Sequence, residues 1–210
     1  MMIENGLRLF FLSMHDIHFK TGKEMQERLK REFIHAIDVL TWIKKLSPSS
    51  SSFELQASAL LHDSERWTNE HMARGYDGDR TGPEYTLYKK QHARESVNFA
   101  NKILTDKNIP EVSRKRIVFL IEHHDDTSDE IAYINDPELD LLVAADSFSY
   151  FTLIAPDMLN REGTERVRNK MRFMVEKMPR SLRQLLAEQH MKNELIELIK
   201  SEVLLEFGAL

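Results

Sequence analysis

His35, the doublet His62-Asp63, His92, the pair His123-His124 and Asp146 follow one another along this chain, each in or beside an apolar helical segment. Imidazoles and carboxylates without partners are costly in such company, on a scale comparable with the net stability of a whole domain. Taken singly, each has a plain reading: a lone histidine on an apolar face is usually a hydrogen-bonded core residue, and a lone aspartate is often a cap. Their joint occurrence points to a metal centre. Borderline divalent metals (manganese, iron, cobalt, nickel, zinc) take imidazole and carboxylate ligands. Cysteine is absent, so a thiolate site and a disulfide framework are both excluded.

The elements that must carry these groups read as helices. In residues 23–46, Val39, Trp42 and Leu46 form an apolar stripe, and His35 precedes it by one turn, facing the same way. Residues 53–67 place His62 one turn after Ala59, with Asp63 displaced by about 100° around the axis. Asp146 closes the run 139–146, in which Asp140 is the only other charge. Ser47-Pro48 and the serines at 49–52 form a loop that caps the next helix. The glycine-containing stretch 69–83 is an irregular excursion. Helices are expected over 84–104 with His92, from Pro110 to about His124, and from Pro137 through Asp146. Two or three more follow Pro156 and Pro179, roughly over 160–178 and 181–207. With no alternating strands and no repeat, the expected fold is an all-α bundle. It forms one domain over 1–210, with a core at about 23–152 and a helical extension over 153–210.

The order His35, His62-Asp63, Asp146 on helices resembles the HD-domain superfamily of metal-dependent phosphohydrolases, over about residues 27–151. Ala59-Leu60-Leu61-His62-Asp63 resembles the doublet that names the family. His92 and the pair His123-His124 resemble the extra histidines of its binuclear members. His15-Asp16 has no histidine a helix-length upstream and is set aside. The resemblance implies an all-α bundle of the phosphodiesterase-like type. His35, His62, Asp63 and Asp146 would hold a first ion. Asp63 would bridge to a second ion held by His92 and by His123, His124 or both. Two ions about 3.5–4 Å apart can clamp the oxygens of an in-line displacement. Asp63, His124 and Arg66 are the expected catalytic residues. The chain departs from some branches: Asp125-Asp126-Thr127-Ser128 follows the histidine pair, not the Gly-Tyr-Pro of cyclic-di-GMP phosphodiesterases. Arg31 stands where a third-metal glutamate would, and Ser64-Glu65-Arg66-Trp67 replaces the acidic pair of alarmone hydrolases.

Arg66 follows His62 by one turn, a place from which a guanidinium can take phosphoryl oxygens bidentately. Lys89, Lys90 and Arg94 surround His92; Lys90 and Arg94 join Arg66 as substrate-phosphate candidates, against the plainer reading of a solvated helix face. Arg74 and Arg80 are candidates for a lid. His123 and His124 lie near a helix C-terminus, where the dipole favours a cation. Adjacent positions diverge in direction, so one of them is expected to miss the site. Asp125 and Asp126 read as loop charges able to orient a ligand histidine.

The expected activity is hydrolysis of a phosphoester, in a nucleotide or another small phosphorylated metabolite, by a metal-activated hydroxide. The same ligand set serves di-iron oxygenases of the superfamily, and a non-catalytic metal- or nucleotide-binding module is the third reading. Net charge −5 and a pI near 6.0 exclude a bulk basic field for nucleic acid. Leu9-Phe10-Phe11-Leu12 is too short for a signal core or a membrane span, and no other long apolar stretch stands out. The expected compartment is the cytoplasm. The apolar stripes of the C-terminal helices are core or homodimer packing.

Overall fold

The structure, a computed structural model, describes residues 23–48, 51–67, 76, 78 and 82–209. The doublet His15-Asp16, the apolar 9–12 segment and the lid candidates Arg74 and Arg80 lie outside the described residues. The helices are α1 (Lys23–Leu46), α2 (Phe53–Leu61), α3 (Pro83–Asp106), α4 (Glu111–His123), α5 (Ser128–Ile134), α6 (Pro137–Ser149), α7 (Ala155–Glu162), α8 (Thr164–Lys177), α9 (Arg180–Glu188) and α10 (Glu194–Glu206). No strand occurs among the described residues, and the fold is the all-α bundle expected.

α6 is the central element. Leu142, Val143, Ala144 and Ala145 are fully enclosed, so the helix is apolar on every side, as a helix surrounded by others must be. It packs on α1, α2 and α4, and Phe148 meets Trp42 of α1 with ring centroids 4.7 Å apart. Its start is fixed by Asp136, whose carboxylate accepts from the backbone N–H groups of Glu138 and Leu139. The same carboxylate takes both terminal nitrogens of Arg116 on α4, at 2.6 and 2.8 Å. One aspartate therefore caps the helix that carries Asp146 and ties it to the helix that leads to His124.

Several boundaries differ from the sequence expectation. α2 stops at Leu61, and the doublet lies beyond it, followed by a 3-10 turn over Ser64–Trp67 rather than by continued α-helix. Ser52 caps the start of α2 by accepting from the Leu55 N–H at 3.0 Å, as the serine run foretells. α5 was not anticipated, although Thr127 and Glu130 form a full capping box. The C-terminal region holds four helices rather than two or three: Gly163 at φ 84° interrupts the run between α7 and α8, and residues 189–193 separate α9 from α10, whose start Asn193 caps. α6 and α7 are joined by a π-type turn over Tyr150–Ile154. The resulting run Pro137–Glu162, 26 residues, is long and apolar enough by length and composition to cross a membrane, contrary to the expectation that no such stretch occurs. Of its most apolar window 67% is buried inside the bundle, as befits a core helix.

Because Phe148 is almost wholly enclosed against Trp42, Phe148→Ala should destabilise the fold by about 3–5 kcal/mol. The urea unfolding midpoint measures this, and a loss under 1 kcal/mol, roughly that of a surface substitution, would contradict a central role for α6.

Candidate metal centre

Two histidines stand just past helix ends and use the same bond. A helix leaves its last four carbonyls without intrahelical partners. His62, the residue after α2, brings Nδ1 to 2.9 Å from the Ala59 carbonyl oxygen; His124, the residue after α4, brings Nδ1 to 2.6 Å from that of Ile121. A carbonyl only accepts, so each Nδ1 carries the proton and each Nε2 is the free end. His92 on α3 obeys the same logic: its Nδ1 donates to the carboxylate of Glu65, which also accepts from Ser96 Oγ. His35 on α1 has Nδ1 3.0 Å from Ser149 Oγ at the end of α6.

The four Nε2 atoms converge on two aspartates. His35 Nε2 and His62 Nε2 are 3.3 Å apart. Asp146 Oδ1 lies 3.2 Å from the first and 3.7 Å from the second. Asp63 Oδ1 lies 3.6 Å from His62 Nε2, 2.8 Å from His92 Nε2 and 3.7 Å from His124 Nε2. Two groups of three thus have ligand atoms within 4.8 Å of one another: His35, His62 and Asp63, and Asp63, His92 and His124, with Asp63 common to both. All five residues are buried. The donor set fits a cation. His62, His92 and His124 each aim an Nε2 lone pair at carboxylate oxygen unless a second proton or a metal ion lies between. His124 Nε2 is buried without a hydrogen bond.

Around these groups the charges are nearly matched. Burial favours the neutral form of Asp63, but Arg66 above all, then His62 and His92, hold its carboxyl well below the usual carboxylate range. Arg66 reaches Asp63 Oδ2 at 2.8 Å and Glu32 at 3.1 Å. Lys177, from the end of α8, spans Asp125 and Asp146 with Nζ 2.7 Å from each. Lys89 pairs with Asp125 from the other side. Against burial, the ammonium of Lys177 keeps Asp125 and Asp146 well below the ordinary value, assisted by Lys89 at Asp125 and by the histidines. Burial works against charge on His124 too, yet Asp125, 3.2 Å from Nε2, raises its pKa to about 9.

Of the residues singled out in the sequence, His35, His62, Asp63, His92, His124 and Asp146 come together, with Arg66 beside them. His123 does not. It turns away, pairs with Asp126 at 2.6 Å and lies beside Phe119. Lys90 is exposed and bound to Glu130, and Arg94 is exposed. Lys89 and His92 are three residues apart and share the inward face of α3, which sends Lys90 and Arg94 outward. Asp125 is not a loop charge but a buried member of the cluster. Glu65, Ser149 and Lys177 were missed. Ser149 follows Asp146 by one turn and lay within reach of the helical period; Glu65 sits in a 3-10 turn and Lys177 on a distant helix, where spacing carries no signal.

A family model described as a domain of unknown function, DUF4202, matches residues 11–199. No curated protein and no solved structure matches the chain.

Two outcomes follow for the metal-free protein. The His124 pKa in the folded state lies above the unfolded value near 6.5, so its contribution to stability is complete below that pH and lost as pH rises through about 9. The urea midpoint of chelator-treated protein should therefore fall between pH 6.5 and about 9.5, and His124→Asn should flatten that fall. Lys177→Met, which strips two buried carboxylates of their shared cation, should cost about 3–5 kcal/mol. A midpoint unchanged by Lys177→Met would show that the pairs contribute nothing.

Proposed function

The chain belongs to the DUF4202 family, and we propose that it is a metal-dependent phosphohydrolase acting on a small phosphoester, such as a nucleotide or another phosphorylated metabolite. The observation that carries the reading is the pair of buried three-residue groups sharing Asp63. The resemblance of the His35, His62-Asp63, Asp146 order to the HD-domain superfamily supports it.

On this reading His35, His62, Asp63 and Asp146 hold one divalent ion, and Asp63, His92 and His124 hold a second. Such ions supply Lewis acidity toward phosphoryl oxygens and lower the pKa of water. The protein's own groups do the rest. The Nδ1 partners Ala59, Ile121, Glu65 and Ser149 fix the rings in place, so little reorganisation is needed when a ligand arrives. Arg66 lines the pocket beside Asp63, and its guanidinium is placed to bind phosphoryl oxygens as they gain charge. Lys177 keeps Asp146 ionised, and Lys177 together with Lys89 of the pocket wall keeps Asp125 so. His124 must give up its Nε2 proton to act as a ligand, so metal affinity rises with pH up to about 9.

Elemental analysis of the folded chain reconstituted with manganese should find about two ions per chain, about one in His92→Ala and neither in Asp63→Ala. The loaded protein should release phosphate from members of a phosphoester panel and consume no oxygen when loaded with iron. A folded chain that takes up no metal would falsify the proposal; oxygen uptake without phosphate release would replace it with oxygenase chemistry.

A further inference from the structure

Three ammonium groups surround the ring of Phe173 on α8: Lys170 Nζ at 4.5 Å, Lys177 Nζ at 5.6 Å and Lys89 Nζ at 6.0 Å from its centroid. Two of them are neutralised by the carboxylates already described. Lys170 is not: none of the ion pairs among the described residues involves it. Its Nζ donates to Tyr85 Oη at 3.1 Å and otherwise lies near the rings of Tyr85 and Tyr150, at 5.8 and 6.0 Å. Burial pushes its pKa down, and the like charges of Lys89 and Lys177 add to this, while Tyr85 and Asp125 oppose it.

Lys170, Tyr85 and Tyr88 line the same pocket as His35 and Arg66, a cavity of about 370 Å³. The Tyr88 hydroxyl is buried there without a hydrogen-bond partner. Tyr85, which accepts from Lys170, has its own proton left to donate. The carboxylates on the pocket wall are committed elsewhere: Glu32 to Arg66, Asp157 to Arg161, and Glu162 to Arg166. One pocket thus holds both His35 of the metal-ligand cluster with Arg66 and an ammonium that has no carboxylate partner among the described residues, with a phenol donor at its side. An ammonium without a carboxylate partner on a concave wall attracts negative charge.

We propose that Lys170, with Tyr85, binds a second anionic group of the substrate, a phosphate or a carboxylate remote from the phosphoester that is cleaved, and so selects for two-ended anions. The proposal rests on the phosphohydrolase reading only for the placement of the first phosphoryl group.

The test is calorimetric titration of the manganese-loaded full chain with three non-hydrolysable probes: ethylphosphonate, propane-1,3-bisphosphonate and 3-phosphonopropionate. At least one two-ended probe should bind roughly tenfold more tightly than ethylphosphonate, the gain of one charge-assisted hydrogen-bonded contact. Which of the two does so identifies the second group as phosphate or carboxylate. The preference should vanish in Lys170→Gln and persist in Lys170→Arg, with ethylphosphonate affinity unchanged in both. Should Lys170→Gln fail to fold, Tyr85→Phe, which leaves the ammonium in place, should show a reduced preference. Absence of any preference in the native chain, or a preference that survives Lys170→Gln or is untouched in Tyr85→Phe, overturns the proposal. Failure of ethylphosphonate alone to bind removes the phosphohydrolase reading while Lys170-dependent binding of a two-ended probe still stands; failure of all three removes both.

Discussion

The bond between a helix-end carbonyl and the Nδ1 of the histidine that follows sets the chemistry of the whole cluster. α2 and α4 both end in it, at His62 and His124. A free carbonyl at a helix terminus needs a donor, and an imidazole one residue past the end supplies one without lengthening the chain. The cost falls on the other nitrogen, which is left in a buried place facing carboxylate oxygen and calls for a proton or a metal ion between them. Placing two such rings beside Asp63 and Asp146 makes the cavity between them a place for positive charge. The helices need only bring two C-termini together, and α6, packed against α1, α2 and α4, does so.

The balance of charge explains why the lysines lie where they do. Asp63, Glu65, Asp125 and Asp146 are four buried carboxylates in one region. Lys177 and Lys89 approach Asp125 from α8 and α3, and Arg66 approaches Asp63 from the 3-10 turn. With these partners the carboxylates stay ionised without a metal ion, and the ligand atoms keep their places. Because Lys177 grips both Asp125 and Asp146, α8 is bound to the core by charge as well as by the apolar contacts of Val167, Met171 and Val175. The division of the chain into a core and an appended extension at about residue 152 is therefore not a chemical division, since the extension supplies a group to the cluster.

Helical period made much of this legible. His35 with Val39 and Trp42, and Asp146 with Leu142 and Val143, share apolar faces at a spacing that a sequence displays. The doublet was legible by its order in the chain, though not as part of a helix. Period fails where helices end: nothing local distinguishes Asp125, which turns inward, from Asp126, which turns toward His123. It fails likewise for contacts made across the bundle, as with Lys177, and in tighter turns, as with Glu65. In the C-terminal region the breaks lie at Gly163, a residue whose positive φ ends a helix, and at residues 189–193 before the cap Asn193, neither of which disturbs the apolar period; α5 is announced only by its capping residues Thr127 and Glu130.

The π-type turn at Tyr150–Ile154 joins Asp146, in the metal-ligand cluster, to α7, whose Asp157, Met158, Arg161 and Glu162 line the pocket. A turn with i→i+5 bonding holds one residue more than an α-turn, and each residue rotates a helix by about 100°. The wider turn absorbs that extra residue locally, so α7 keeps nearly the facing that an uninterrupted α-helix one residue shorter would give it, and Asp146 stays where it is. Chain length can therefore change by one residue at this joint with little rotation of either side, which uncouples the spacing of the pocket wall from the placement of Asp146.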